Sequence, residues 1–188
     1  MSAPDPRLTG TGVRLARAEL AVFEWVAFDE AVLRRHATDL GVELAPPQGV
    51  ARADDGLTLS VRPRRWLLLA PGAPGRRPES PPPQGGAAVE LSSAYAVLLV
   101  AGAQVRELLA RGCRVDLDPR VFPAGRAAAT IMAQVSVTLA ALPGGFLLLT
   151  PATTARYFEE WLEACARPFG LDGGGGLRLE ELFGERSL

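Results

Sequence analysis

The chain has 188 residues, 48% of them hydrophobic, with a formal net charge of −1. That is enough apolar material for a globular core, as one domain or as two small ones sharing an interface. All 20 basic residues are Arg, with Lys and Asn absent, which argues against a nucleic-acid surface, and the longest apolar runs (96–103 and 66–71) fall far short of the roughly 20 residues that cross a bilayer.

No basic segment followed by an apolar one opens the chain, so a secretory leader is not expected and the cytoplasm is the default. Residues 19–27 are apolar enough for a first strand. Asp29 then stands where a helix N-cap belongs, ahead of Leu33, His36, Ala37 and Leu40 at helical spacing, with Gly41 ending the run. Ala45-Pro46-Pro47 and Asp54-Asp55-Gly56 are turn punctuation. Residues 57–61 and 66–70, joined across Arg62-Pro63-Arg64-Arg65, read as a hairpin. The first half therefore runs β-α-β-β.

Residues 71–86 hold six prolines and no apolar period, as an irregular linker would. Beyond them come strands at 87–91 and 94–101 and a helix at 104–111, where Val105, Leu108 and Leu109 share one face and Gly112 follows as a C-terminal cap. After the turn-rich runs Asp116-Leu117-Asp118-Pro119 and Phe122-Pro123-Ala124-Gly125, residues 131–142 and 146–150 read as a hairpin turning at Pro143-Gly144-Gly145. A last helix is expected to open at Thr150-Pro151, with Phe158, Trp161, Leu162 and Cys165 on one face.

The element order gives an α+β fold of two β-α-β-β-type, ferredoxin-like halves, the first with a degenerate last helix. Residues 1–86 form the N-terminal half with its Pro-rich linker, 87–170 the C-terminal half, and 171–188 a flexible Gly-rich tail. Leu177, Leu179, Leu182 and Phe183 put an apolar stripe on that tail, which would fold back on the domain or dock on another subunit.

Chemistry is sparse. His36 is the only histidine and lies midway along an amphipathic helix, so core packing is the simpler reading than a nucleophile scheme or metal site. Cys113 and Cys165 are isolated thiols without the spacing of a disulfide framework or a structural zinc. Cys113 follows Gly at a helix end, where an activated thiol is conceivable, but no Lys or His stands near it in sequence and a structural role is expected. Asp116 and Asp118 could orient a substrate amine or act in acid–base work, although Asp side chains ordinarily bond the backbone two residues on and Asp118-Pro119 favours turn initiation. Arg62, Arg64 and Arg65 beside Trp66 could stack on a base or bind phosphate, or serve as solvated edge protection. The run Gly173–Gly176 has no preceding strand and no Gly-Lys-Ser/Thr, so it is not a phosphate loop. No catalytic, cofactor-binding or metal-ligating residue is assigned.

Four segments carry a resemblance: the strand 92–102 ending in Ala-Gly; the block Leu109-Ala-Arg-Gly-Cys-Arg-Val-Asp-Leu-Asp-Pro-Arg-Val-Phe-Pro-Ala-Gly125; Thr130-Ile-Met-Ala-Gln-Val-Ser-Val-Thr-Leu139; and Tyr157-Phe-Glu-Glu-Trp-Leu162. With Trp66-Leu-Leu-Leu-Ala-Pro71, they resemble the gamma subunit of heterotetrameric sarcosine oxidase, a family related to the folate-binding fold of the glycine-cleavage T-protein. Coverage is best over 92–170. Tyr95 stands where the family usually has Arg, and Thr150-Pro-Ala-Thr-Thr154 where it usually has Arg-Ser-Phe-Ala.

The resemblance implies a small non-catalytic subunit that binds no cofactor itself, with flavins, NAD and tetrahydrofolate in larger partner subunits that oxidatively demethylate sarcosine. It marks Gly112, Cys113, Asp116, Asp118, Pro119, Phe122, Pro123, Gly125 and Trp161 as family-motif positions, structural or in subunit contact. The alternatives are a small folate-binding one-carbon-transfer protein, or an iron–sulfur assembly factor of T-protein-like fold. In the latter group Tyr and then Gly-Gln-Glu typically follow the Gly-Cys, where this chain has Arg114-Val-Asp-Leu117.

Overall fold

The computed structural model describes residues 12–53, 56–71, 84–172 and 176–183. In chain order the strands and helices are β1 (Val13–Ala18), β2 (Leu20–Ala27), α1 (Glu30–Asp39), β3 (Gly49–Ala53), β4 (Gly56–Arg62), β5 (Arg65–Pro71), β6 (Gly86–Glu90), β7 (Tyr95–Ala101), α2 (Val105–Ala110), β8 (Ala127–Met132), β9 (Val135–Leu142), β10 (Gly145–Pro151), α3 (Ala155–Ala166), β11 (Leu171–Asp172) and α4 (Leu179–Phe183). Two compact α+β units result. One spans Glu19–Tyr95; the other joins β1 to the described chain from Ala96 onward.

The first unit is a five-stranded sheet in the order β3-β4-β5-β2-β6. Strand β2 alternates: Ala21, Phe23, Trp25 and Ala27 turn to one face, where they form a core with Leu33 and Ala37 of α1. Helix α1 starts where its cap chemistry says it should. The Asp29 carboxylate accepts the backbone N–H of Ala31 at 2.9 Å and of Val32 at 3.1 Å, and Gly41, at φ 69°, follows its end. Thr58, buried in β4, accepts the Ala45 N–H at 2.8 Å and donates to the Glu43 carbonyl at 2.7 Å, while Trp66 Nε1 donates to the Ala45 carbonyl at 2.9 Å. The loop between α1 and β3 is thus tied to the sheet by side chains rather than by a ladder.

The second unit has a six-stranded sheet in the order β11-β1-β7-β10-β9-β8. Its core gathers Leu98, Val100, Val137, Leu139, Phe146 and Leu148 from the strands with Leu108 and Leu109 of α2 and Phe158 and Leu162 of α3. Each such fully buried side chain contributes about 1.5–3 kcal/mol.

The two sheets share one plan. Reading β3-β4-β5-β2-β6 against β8-β9-β10-β7-β1, each unit consists of a strand, a helix and a three-strand meander, closed on its far side by one more antiparallel strand. That closing strand is exchanged. β6 immediately precedes β7 in the chain yet pairs with β2 (Trp25 opposite Ala88), and β1 immediately precedes β2 yet pairs with β7 (Ala16 opposite Leu99). The expected boundary after residue 86 therefore differs from the compact units: residues 87–95 belong with the first and 13–18 with the second.

Other differences have local causes. In each unit the strand following the helix, β3 or β8, was not separately expected. Residues 131–142 are not one strand, because the chain reverses at Ala133 (φ 50°) and Gln134 (φ 66°), a tight turn built without the usual Asn-Gly. Thr150 lies fully buried in β10 rather than capping a helix, and α3 begins at Ala155 after a short 3₁₀ turn. The described part of the tail is packed, not loose. β11 pairs parallel with β1, Leu182 is fully buried, its carbonyl accepts the Gly144 N–H at 2.8 Å, and Arg14 reaches Glu181 at 2.9 Å. The expected linker and the degenerate last helix of the first half fall largely on residues 72–83, and the glycine spacer on 173–175, outside the described residues.

Candidate functional site

The segment from α2 to β8, with α3 beside it, brings the sequence-marked positions together. Gly112 follows α2, but its φ is not in the left-handed region, and Arg111 is the helical cap. Space is what demands glycine here. A Cβ at 112 would lie 2.5 Å from Trp161 Cζ2 and 3.2 Å from the Ala133 nitrogen, and the Trp161 ring is itself stacked on buried Phe158 with centroids 5.9 Å apart. Gly112 also accepts the Ala133 N–H at 3.3 Å, which seats the β8–β9 turn against the end of α2.

Cys113 forms an antiparallel bridge to Met132 and is half-buried. Burial pushes its thiol pKa up, against smaller opposing effects of hydrogen bonds with the Val115 N–H and Thr130. A thiol so placed is held protonated and is a poor nucleophile.

The two carboxylates are taken up by the loop itself. Asp116 accepts the Asp118 N–H at 2.9 Å; Asp118 accepts the Arg120 N–H at 2.8 Å and both Nε (2.9 Å) and Nη2 (2.7 Å) of its side chain. The Arg120 guanidinium and N–H hold the Asp118 carboxyl below the usual carboxylate range. These are Asx turns, the structural alternative of the sequence reading. Leu117 and Phe122 anchor the loop in the core, whereas Pro119 between them and Pro123 just after face solvent. Gly125 sits at φ 88°, a conformation that disfavours any side chain, and donates to the Ala141 carbonyl at 2.8 Å as the chain enters β8.

One organising residue escaped the sequence reading. Arg106 of α2 donates through Nη1 to the carbonyls of Leu117 (2.6 Å) and Phe122 (2.9 Å), and its guanidinium lies 4.9 Å over the Phe146 ring. Burial draws its pKa down, with nearby Asp118 acting the other way. Nothing in the sequence distinguishes this arginine from others on exposed helix faces.

The remaining candidates lie elsewhere. His36 is on α1 of the first unit, its ring 5.8 Å from that of Trp25. Among the described residues no group of three or more His, Cys, Asp or Glu could hold a metal ion, and no helix is long and apolar enough to cross a membrane. Asp116 and Asp118 accept bonds from their own turns, and Arg106 is engaged by two carbonyls of the loop.

The model of the family described as sarcosine oxidase, gamma subunit matches residues 24–167. Among solved structures, a chain of the heterotetrameric sarcosine oxidase from Corynebacterium sp. U-96, in complex with pyrrole 2-carboxylate, superimposes with a TM-score of 0.71 at 23% identity, covering 89% of this chain and 91% of that one. The glycine cleavage system aminomethyltransferase T from Bartonella henselae gives 0.59 at 13% identity over 90% of this chain, which spans 49% of that protein. Both likenesses establish the fold. No curated protein matches the chain.

Proposed function

The chain belongs to the sarcosine oxidase gamma subunit family, and from that premise we propose that it is a non-catalytic structural subunit of a sarcosine oxidase-like complex in the cytoplasm. On this reading it binds no cofactor, and larger companions hold the flavins, NAD and tetrahydrofolate used in oxidative demethylation of sarcosine. The carrying observation is the self-satisfied loop 112–126. Its thiol is kept protonated, its two carboxylates accept bonds from their own turns, and Arg106 is engaged by two carbonyls. Groups so committed give shape, not turnover.

The test is co-expression of the tagged chain with the larger subunits of a sarcosine oxidase-like complex. Recovery of a stoichiometric, flavin-coloured complex is the expected result; a solitary monomer in its native host would refute it. A second reading, a small folate-binding one-carbon-transfer protein, draws support from the likeness to the aminomethyltransferase fold. Calorimetry of the isolated chain with tetrahydrofolate separates the two, since the subunit reading expects no heat of binding.

A further inference from the structure

The tip of the β4–β5 hairpin breaks two local rules at one place. Arg62 and Arg65 stand directly opposite each other across the strand pair, a like-charge pairing that destabilises a sheet. Between them the chain turns through Pro63 and Arg64, and Arg64 occupies the left-handed region at φ 57°, where a Pro-initiated turn ordinarily places Gly or Asn. Edge protection does not account for these arginines, because β4 and β5 are interior strands of their sheet. Breaches of this kind that a fold retains concentrate at functional surfaces.

The charges at the tip are only partly met. Arg65 pairs with Glu24 at 2.8 Å, Arg64 donates through Nη2 to the Phe28 carbonyl, and Arg62 has no partner among the described residues. The acids next along the chain are engaged elsewhere: Asp29 caps α1 and Glu30 binds Arg34 at 2.8 Å. Phe28, whose carbonyl Arg64 holds, is 60% exposed, the most open large apolar side chain described. Three guanidinium groups of which one is paired with a carboxylate, beside an unburied aromatic ring, form a surface for carboxylates flanked by an apolar residue.

We propose that this basic tip, with Phe28, is where the chain receives a carboxylate-rich segment of a larger subunit; the inference rests on the subunit reading above. Charge complementarity selects the occupant. A nucleic acid would demand a broader positive field than a chain of net charge −1 without lysine supplies. The tip acts mainly on encounter, since solvent-exposed charges at an interface govern association rate and its salt dependence more than residence time.

The experiment measures association of the full-length chain with its larger subunits at low and high salt. The double variant Arg62→Ser, Arg64→Gly removes two charges while leaving the turn a residue that accepts its φ, so its urea midpoint should match or exceed that of the unaltered chain. The expected result is association about tenfold slower at low salt, with a flatter salt dependence, and recovery of most of the rate when Arg62→Lys replaces Arg62→Ser. An unchanged rate and salt slope in the double variant overturns the inference while leaving the subunit reading intact. Failure of the unaltered chain to associate removes both. Retention of the chain by a single-stranded oligonucleotide at physiological salt, lost in the double variant, would reassign the tip to a nucleic acid and overturn the protein partner.

Discussion

Replacing Arg106 by Met tests whether the loop 112–126 is held from within. The substitution keeps an unbranched apolar stem but deletes two charge-assisted bonds, to Leu117 O at 2.6 Å and Phe122 O at 2.9 Å, and the contact over Phe146. Bonds of that type contribute about 1.5–3 kcal/mol each and the cation–π contact about 0.5–2. Set against them is the desolvation of the guanidinium itself, evident in its lowered pKa and relieved by the substitution, which brings the expected net loss to about 2–3 kcal/mol. For a chain of this size that corresponds to a melting temperature lower by roughly 5–10 °C. Urea unfolding gives the energy, and limited trypsin digestion gives the location, because Arg114, Arg120 and Arg126 lie exposed on the loop and its exit. In Arg106→Met the cuts at these arginines should precede all others. Stability within about 0.5 kcal/mol of the unaltered chain, with an unchanged digestion order, would refute the claim that Arg106 closes the loop.

Gly112→Ala should cost about 1–2 kcal/mol in urea unfolding, overpacking against Trp161 outweighing the entropy gained by losing glycine; a neutral result would mean that the ring moves aside. Gln134→Gly, at an exposed position with φ 66°, should stabilise by about 0.5–1 kcal/mol in the same assay. Because the folded state keeps the Cys113 thiol protonated, the stability it lends is intact below the ordinary thiol pKa and falls as pH rises through and beyond it. Cys113→Ala should flatten that alkaline decline with only a modest packing loss of about 1 kcal/mol, measured as urea midpoints from neutral to alkaline pH. For Glu181, burial, which alone would raise its pKa, is outweighed by the Arg178 N–H and the Arg14 guanidinium, so the carboxyl titrates below its usual range. Its stabilisation of α4 is present above the ordinary carboxylate pKa and lost on acidification, so protection against hydrogen exchange at 179–183, taken relative to the intrinsic rate at each pH, should fall in acid and, at neutral pH, in Arg14→Ala.

Much of the local structure was legible because its causes are local. Asp29 capping α1, the hairpin about Pro63, the stripe of Phe158 and Leu162, and the Asx turns at Asp116 and Asp118 all follow from side chains acting within a few residues. The turn at Ala133-Gln134 was not, since neither residue advertises a positive φ, and so β8 and β9 merged into one expected strand. Gly112 is not the helix cap that its place after α2 suggests: its requirement is room for a tryptophan 49 residues later, which no local pattern encodes. The arrangement of β1 and β6 depends on pairing partners far along the chain, and the packing role of Arg106 on carbonyls of a loop not yet folded when only sequence is read.

The exchanged closing strands also bear on how the polypeptide emerges from the ribosome. β2 to β5 can assemble as soon as they are made, but β1 must wait for β7, 83 residues further on at the pair Ala16–Leu99. At synthesis rates of roughly 5–20 residues per second, that delay is on the order of 4–17 seconds. For that interval an arginine-bearing ribbon waits without its mate, and completion of its sheet falls to Leu171–Asp172, which pair along its other side.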